Sequence, residues 1–225
     1  MNSSINPFKL QGVLFDLDGV LVDTAADLIA CLNLALTDHG LSPNATLALR
    51  PHISRGALAM IAAAAPETGP ESRERILGSM LDHYAQNVAV HSRCFDGMAE
   101  TLLYIENLGL KWGVVTNKKQ RFTDPLLAAL QLSPRAACVV SGDSTPHPKP
   151  HPLPLLTACE QAALEPVNCV YIGDAAHDIT AGKAAGMRTL AAVYGYLPAD
   201  APIESWGADG LLEHPRQLID WINKL

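Results

Sequence analysis

A chain of 225 residues, 48% hydrophobic and 17% charged, is long enough to bury a substantial core and has an ordinary globular balance. Its formal net charge of -7 offers no basic face to neutralise nucleic-acid phosphates, so no nucleic-acid partner is expected. A small anionic substrate stays compatible, because a local cation and a metal outweigh net charge at close range.

Met1 to Gln11 is polar and lacks the basic segment and apolar core of a secretion signal. No window approaches the roughly 18 consecutive apolar residues of a membrane span, and a cytoplasmic location is the expectation. Five cysteines (Cys31, Cys94, Cys138, Cys159 and Cys169) are odd in number with no Cys-x-x-Cys pair. That predicts reduced thiols, not a disulfide frame or a zinc site.

In chain order, Val13-Leu14-Phe15 reads as a strand that runs straight into Asp16-Leu17-Asp18-Gly19-Val20. One intervening residue projects Asp16 and Asp18 to the same side of an extended backbone, and Gly19 permits a sharp exit. The pattern suits a carboxylate nucleophile, Asp16, beside an acid/base, Asp18, that protonates a leaving alkoxide and later activates water. A solvated turn is the plain alternative.

From Thr24 to about Val90 helical spacing replaces strands. Leu28, Ile29, Leu32 and Leu36 form one stripe ended by Gly40; Leu58, Ile61 and Ala62 begin a second; Ile76, Leu77, Met80, Leu81 and Tyr84 form a third. A helical insert directly after the first strand predicts a cap over the sheet's C-terminal edge. Arg55 in this insert could reach a substrate carboxylate; a solvated arginine is the alternative.

Beyond the insert, short apolar runs alternate with helical patterns. The runs are Trp112 to Val115, Ala137 to Val140, Cys169 to Ile172 and Thr189 to Val193; the helices are Glu100 to Leu108, Gln120 to Leu130, Pro154 to Ala163, Ala176 to Ala185 and Pro215 to Ile222. This alternation predicts an α/β fold, a parallel sheet with helices on both faces. Domains are expected at 1–22 with 91–225 (core) and 23–90 (cap).

The strand ends carry polar residues where open parallel sheets place their chemistry. Thr116 and Asn117 can offer a hydroxyl and backbone N–H groups to a phosphate oxygen, or form an ordinary turn. Lys149, between two prolines, can present an ammonium at a fixed point, or be a surface lysine. Asp174 and Asp178 lie near one helix face and, with Asp16, suit a hard cation such as Mg²⁺; helix capping is the alternative. His83, His91, His147, His151, His177 and Trp206 read as loop, surface or packing residues, with His177 nearest the acidic segment.

These segments, in this order, resemble the haloacid dehalogenase superfamily of phosphohydrolases, over essentially the whole chain from Leu10 onward. The resemblance implies a Rossmann-like core and an Mg²⁺-dependent phosphomonoesterase of a small phosphorylated metabolite, monomeric or homodimeric, working through an aspartyl phosphate. It makes Asp16 the nucleophile and Asp18 the acid/base. Asp16, Asp174 and the Asp18 carbonyl become metal contacts, Asp178 a supporting or direct one, and Thr116, Asn117 and Lys149 the phosphate holders.

Leu21-Val22-Asp23-Thr24, Val115-Thr116-Asn117-Lys118, Tyr194-Gly195-Tyr196 and Trp206-Gly207-Ala208-Asp209 are similar to the phosphoglycolate phosphatase family. Ile53 to Met60, Val90-His91-Ser92 with Phe95 to Glu100, and Trp112 to Lys118 with Arg121-Phe122 resemble the N-acetylmuramic acid 6-phosphate phosphatase group within it. Val20 stands where such phosphatases often carry Thr. The phosphomutase branch shares that Val, so a β-phosphoglucomutase-like transferase is the alternative.

Overall fold

The computed structural model describes residues 8–197 and 203–225. Of the polar opening stretch Met1 to Gln11, Met1 to Pro7 lies outside the described residues. In chain order the elements are β1 (Gly12–Phe15), β2 (Val22–Asp23), α1 (Ala25–Asp38), α2 (Arg50–Ile53), α3 (Ala57–Ala64), α4 (Pro70–Gln86) and β3 (Arg93–Cys94). There follow α5 (Met98–Asn107), β4 (Lys111–Val115), α6 (Gln120–Ala129), β5 (Val139–Val140), α7 (Leu153–Ala162), β6 (Cys169–Gly173), α8 (Ala176–Ala184), β7 (Arg188–Ala192), β8 (Gly210–Leu212) and α9 (Gln217–Ile222).

Six strands form one parallel sheet in the order β5-β4-β1-β6-β7-β8. The chain builds outward from β1 through β4 to β5, then returns to the other side of β1 and builds β6, β7 and β8. The switch point therefore falls at β1, where Phe15 is in register with Val114 on one side and Ile172 on the other. Such switch points open a crevice at the strands' C-terminal ends.

Alternation along the central strands feeds two cores. Val13 and Phe15, Trp112 and Val114, and Val170 and Ile172 pack with Leu102 of α5, Leu126 of α6 and Leu218 of α9. Leu14, Val115 and Tyr171 face the opposite way, onto Leu155 and Ala158 of α7 and Ala181 of α8. A sheet buried on both faces is why these strands read as nearly continuous apolar runs.

Helices α1 to α4 form the inserted cap and bury a third cluster. Leu32 and Leu36 of α1 meet Met60 and Ile61 of α3 and Ile76, Met80 and Tyr84 of α4, with Phe122 and Tyr196 joining from the core. The first and third of the expected stripes are inward faces, whereas in α3 Met60 and Ile61 point inward and Leu58 is 44% exposed; Gly40, at φ +70°, lies just past the end of α1. A two-residue antiparallel ribbon, β2 with β3, ties the cap's entry to its exit.

The structure adds elements that the sequence reading did not have. The β2–β3 ribbon is one, β8 is a sixth strand of the sheet, and α2 is a further cap helix; in the run Ala137 to Val140 the strand proper is Val139–Val140, with the Ala137 N–H and the Cys138 carbonyl also bonded to β4. All five cysteines are free thiols. Among the described residues no helix is long and apolar enough to cross a membrane.

Candidate active site

Asp16, Asp174 and Asp178 converge because β1 and β6 are neighbours and each runs out into an acidic segment. One carboxylate oxygen from each lies within 4.8 Å of the others, and all three residues are buried. Close approach of backbone makes room for them: Gly19, at φ +85°, sits where a Cβ would run into the Asp174 carboxylate and the Tyr196 ring. The Leu17 N–H donates to Asp16 Oδ1 (2.8 Å), and the Lys149 ammonium lies 3.0 Å from that same oxygen. Both contacts fall on Oδ1 and neither on Oδ2 of Asp16.

Lys149 is completely buried and has more acceptors than protons. Its Nζ lies within 3.0 Å of Asp16 Oδ1, Asp178 Oδ1, the Tyr171 hydroxyl and the Val115 carbonyl, four acceptors for three N–H donors. The loop is fixed from outside by Asn117, whose side chain both accepts from the Lys149 N–H and donates to the Lys149 carbonyl, each at 3.0 Å. Lys149-Pro150 is a cis peptide.

Asp178 meets both sequence readings at once. Its Oδ2 accepts from the Ala175 N–H (3.1 Å), capping α8, while its Oδ1 accepts from Lys149 and Tyr171. Protein donors thus engage both oxygens. The Thr116 N–H is spent on the Val140 carbonyl, so of the two Thr116 groups expected to meet phosphate the hydroxyl is the available one.

Asp18 is not one of the three clustered carboxylates. Both its oxygens accept from Lys118 Nζ at 3.0 Å, and Oδ1 also accepts from the Thr24 hydroxyl at 2.6 Å. Lys118, its side chain 7% exposed, reaches the cap through a ring face, with Nζ 4.5 Å from the centre of Tyr84. The Tyr84 hydroxyl is buried without a hydrogen-bond partner, and burial pushes it up to about 12.

The cap touches the acidic site directly. Ser54 Oγ, in the loop after α2, lies 3.1 to 3.2 Å from both Asp174 oxygens, and the Tyr196 N–H donates to Asp174 Oδ2 at 2.6 Å. Between cap and core lies a cleft of about 480 Å³. Asp16, Asp18, Thr116, Asn117, Lys118 and His177 form its floor, while Leu28, Ile53, Met60, Leu77, Leu81 and Phe122 give it an apolar wall. Arg55 also lines this cleft and is exposed. His177 Nε2 lies 3.6 Å from Asp178 Oδ1. His147 and His151 stack on each other 4.8 Å apart and do not line the cleft.

Electrostatics divides the carboxylates. Burial, backed by the charges of Asp16 and Asp178, holds the Asp174 carboxyl well above the usual carboxylate range. Burial also raises Asp16, against the pull of Lys149. Asp178 goes the other way, because the Lys149 ammonium overcomes burial and holds it below that range. Burial disfavours the charge on Lys149 and on Lys118, but their carboxylate partners outweigh it, so both sit above the lysine range.

Two ionised carboxylates about 4 Å apart repel by about 4 kcal/mol at an effective dielectric near 20. An all-oxygen donor set in which two members resist ionisation is therefore matched to a hard divalent cation. Asp16 and Asp174 are the members best suited to hold it.

Sequence reasoning did not single out Ser54, Tyr171, Tyr196 or Lys118 as site residues. Lys118 had a signal, since it closes the Val115 to Lys118 string. Ser54 and Tyr196 act across layers, which no local pattern reports.

A parallel-sheet core with a carboxylate cluster at its switch point and a helical cap above it defines a class of hydrolase. The haloacid dehalogenase-like hydrolase family model matches residues 13–192, and the chain belongs to that family. It is 43% identical to an N-acetylmuramic acid 6-phosphate phosphatase of Pseudomonas aeruginosa, over 96% of each chain. It is 41% identical to a phosphoglycolate phosphatase of Xanthomonas campestris, over 92% of this chain and 94% of that one. The expectation of a phosphatase of this family accords with both. Among solved structures, a predicted phosphoglycolate phosphatase from Haemophilus somnus superposes with a TM-score of 0.84 at 26% identity, over 95% of this chain and 98% of that one.

Proposed function

We propose that the protein hydrolyses a phosphomonoester whose leaving portion carries a carboxylate, as a phosphoglycolate phosphatase does, with Mg²⁺ as its cation. The observation that carries this reading is the meeting of Asp16 with Asp174 and Lys149 under a cap that encloses a cleft. The cation, held by Asp16, Asp174 and the Asp18 carbonyl, would neutralise charge and polarise the phosphoryl oxygens.

The chain's own groups do the rest. Asp16 Oδ2 attacks phosphorus and takes the phosphoryl group; Oδ1 is kept out of the way by the Leu17 N–H and Lys149. Lys149, the Thr116 hydroxyl and the Asn117 backbone N–H hold the phosphoryl oxygens, and Asp178 fixes Lys149. Asp18 gives the ester oxygen its proton and then draws one from the water that hydrolyses the aspartyl phosphate. Arg55 meets the distal part of the substrate. The proposed boundaries, a core of 1–22 and 91–225 and a cap of 23–90, are supported by the β2–β3 ribbon that ties them together.

The cleft's volume and apolar wall favour a second reading. A two-carbon acid leaves most of about 480 Å³ unfilled, whereas a carboxylated amino sugar, as in N-acetylmuramic acid 6-phosphate, uses it. Phosphate release from purified protein, with and without a chelator, tests the proposal on phosphoglycolate, N-acetylmuramic acid 6-phosphate and glucose 1- and 6-phosphates. Chelation abolishes release, and Asp16→Asn does the same in a folded protein. An isomerised sugar phosphate in place of free phosphate would identify a mutase.

A further inference from the structure

We propose that Lys118 reads the negative charge of the substrate's leaving portion, exchanging Asp18 for that anion and so freeing Asp18 to turn to the ester oxygen. The inference rests on the phosphomonoesterase reading and names a specificity residue within it.

Three observations carry it. First, Lys118 bonds both Asp18 oxygens at 3.0 Å, so the acid/base is tied to a cation. Its third contact, with the Thr24 hydroxyl, completes the restraint. A carboxylate held this way cannot lean toward a leaving oxygen, so catalysis requires that the tie be broken. Second, Lys118 lines the cleft beside Asp16, Thr116 and Asn117. An anion on the leaving portion, held near the ester oxygen, meets the same ammonium that Asp18 does. Third, the cap covers this cation: Tyr84 of α4 lies over Nζ at 4.5 Å, with the Phe122 ring 5.4 Å from that of Tyr84. In so sheltered a place one carboxylate replacing another keeps the ammonium paired, whereas a neutral substrate that displaced Asp18 would leave it unpaired. Discrimination for an acid then follows from the cost of stranding Lys118.

Binding can be read without turnover in Asp16→Asn protein with Mg²⁺, by calorimetry on two matched pairs. These are phosphoglycolate against 2-hydroxyethyl phosphate, and N-acetylmuramic acid 6-phosphate against N-acetylglucosamine 6-phosphate. The acid of at least one pair should bind more tightly, and adding Lys118→Met should shrink that preference about tenfold or more. Lys118→Arg should keep it. Adding Asp18→Asn should enlarge it, because the internal competitor for Lys118 is gone; this near-isosteric variant also answers any folding defect in Lys118→Met. Equal losses for acid and neutral partners in both pairs would overturn the proposal, as would an Asp18→Asn preference no larger than the parent's. Failure of the wild-type protein to release phosphate from any ester, with the acid preference still tracking Lys118, would sink the phosphomonoesterase reading and leave the recognition role standing.

Discussion

Lys149 illustrates how much of the site is spent on holding one charge. A buried ammonium with four acceptors in reach can satisfy three at a time, so its direction is set by whatever fixes its backbone. Asn117 supplies that restraint through two 3.0 Å hydrogen bonds to the Lys149 peptide. Asn117→Ala should therefore lower kcat by about tenfold or more, since small misplacements of a positioned group cost large factors in rate. Stability should fall by about 1 kcal/mol for each bond lost. Phosphate-release kinetics beside urea denaturation check this, and a variant that loses stability but keeps kcat would show that Lys149 needs no such bracket. The sequence offered the Asn117 backbone N–H to phosphate; the structure shows that its side chain brackets Lys149 as well, a pairing across 32 residues that no local pattern could report.

At the scale of elements, one tyrosine joins the cap's entry, helix α2 and the acidic cluster. The Tyr196 hydroxyl accepts from the Thr24 N–H (2.7 Å) and the Ala25 N–H (2.9 Å) at the start of α1, and donates to Asp23 Oδ1 at 2.6 Å. Its backbone N–H holds Asp174, and the Arg50 guanidinium of α2 stands 4.9 Å over its ring. Tyr196→Phe leaves the two N–H groups buried without that acceptor, at a cost of about 1 to 3 kcal/mol of stability in denaturant titration. An unchanged midpoint would mean that water replaces the hydroxyl.

The same scale shows what the chain's pattern could reveal. Strands β1, β4, β6 and β7 were legible because both faces are buried, which writes unbroken apolar runs. Helices α1, α3 and α4 were legible because one face alone is buried. The β2–β3 ribbon was not, since two-residue strands have no period and their pairing is fixed by the cap between them. Nor was β8, a three-residue edge strand whose Leu211 is exposed. Among candidate site residues, Asp16, Asp18 and Asp174 announced themselves at strand ends and Lys149 between two prolines. Lys118 did not, because Asp18 lies 100 residues away in the chain and Tyr84 belongs to the other layer.

For the whole molecule, the acidic cluster is a built-in destabiliser that a bound cation would relieve. Asp16 and Asp174 have folded pKa values raised above the ordinary carboxylate value near 4. Each therefore binds more protons folded than unfolded in the interval between its two pKa values. Without metal, stability must then fall as pH climbs from about 4 through those raised values. Asp178, lowered by Lys149, acts only on the acid side, where its contribution is lost as pH falls below its ordinary value. A cation held by Asp16 and Asp174 cancels the penalty of ionising them, so its stabilising effect must grow with pH. Differential scanning calorimetry with Mg²⁺ or with chelator should show little difference in Tm near pH 5 and a clear rise with Mg²⁺ near pH 8. Asp174→Asn should remove that rise while making the metal-free protein more stable at pH 8 than the parent, because a carboxylate that resists ionisation is gone. A metal effect equal at both pH values, or a metal-free Asp174→Asn protein less stable than the parent, would mean that the cluster is not the place where the cation acts.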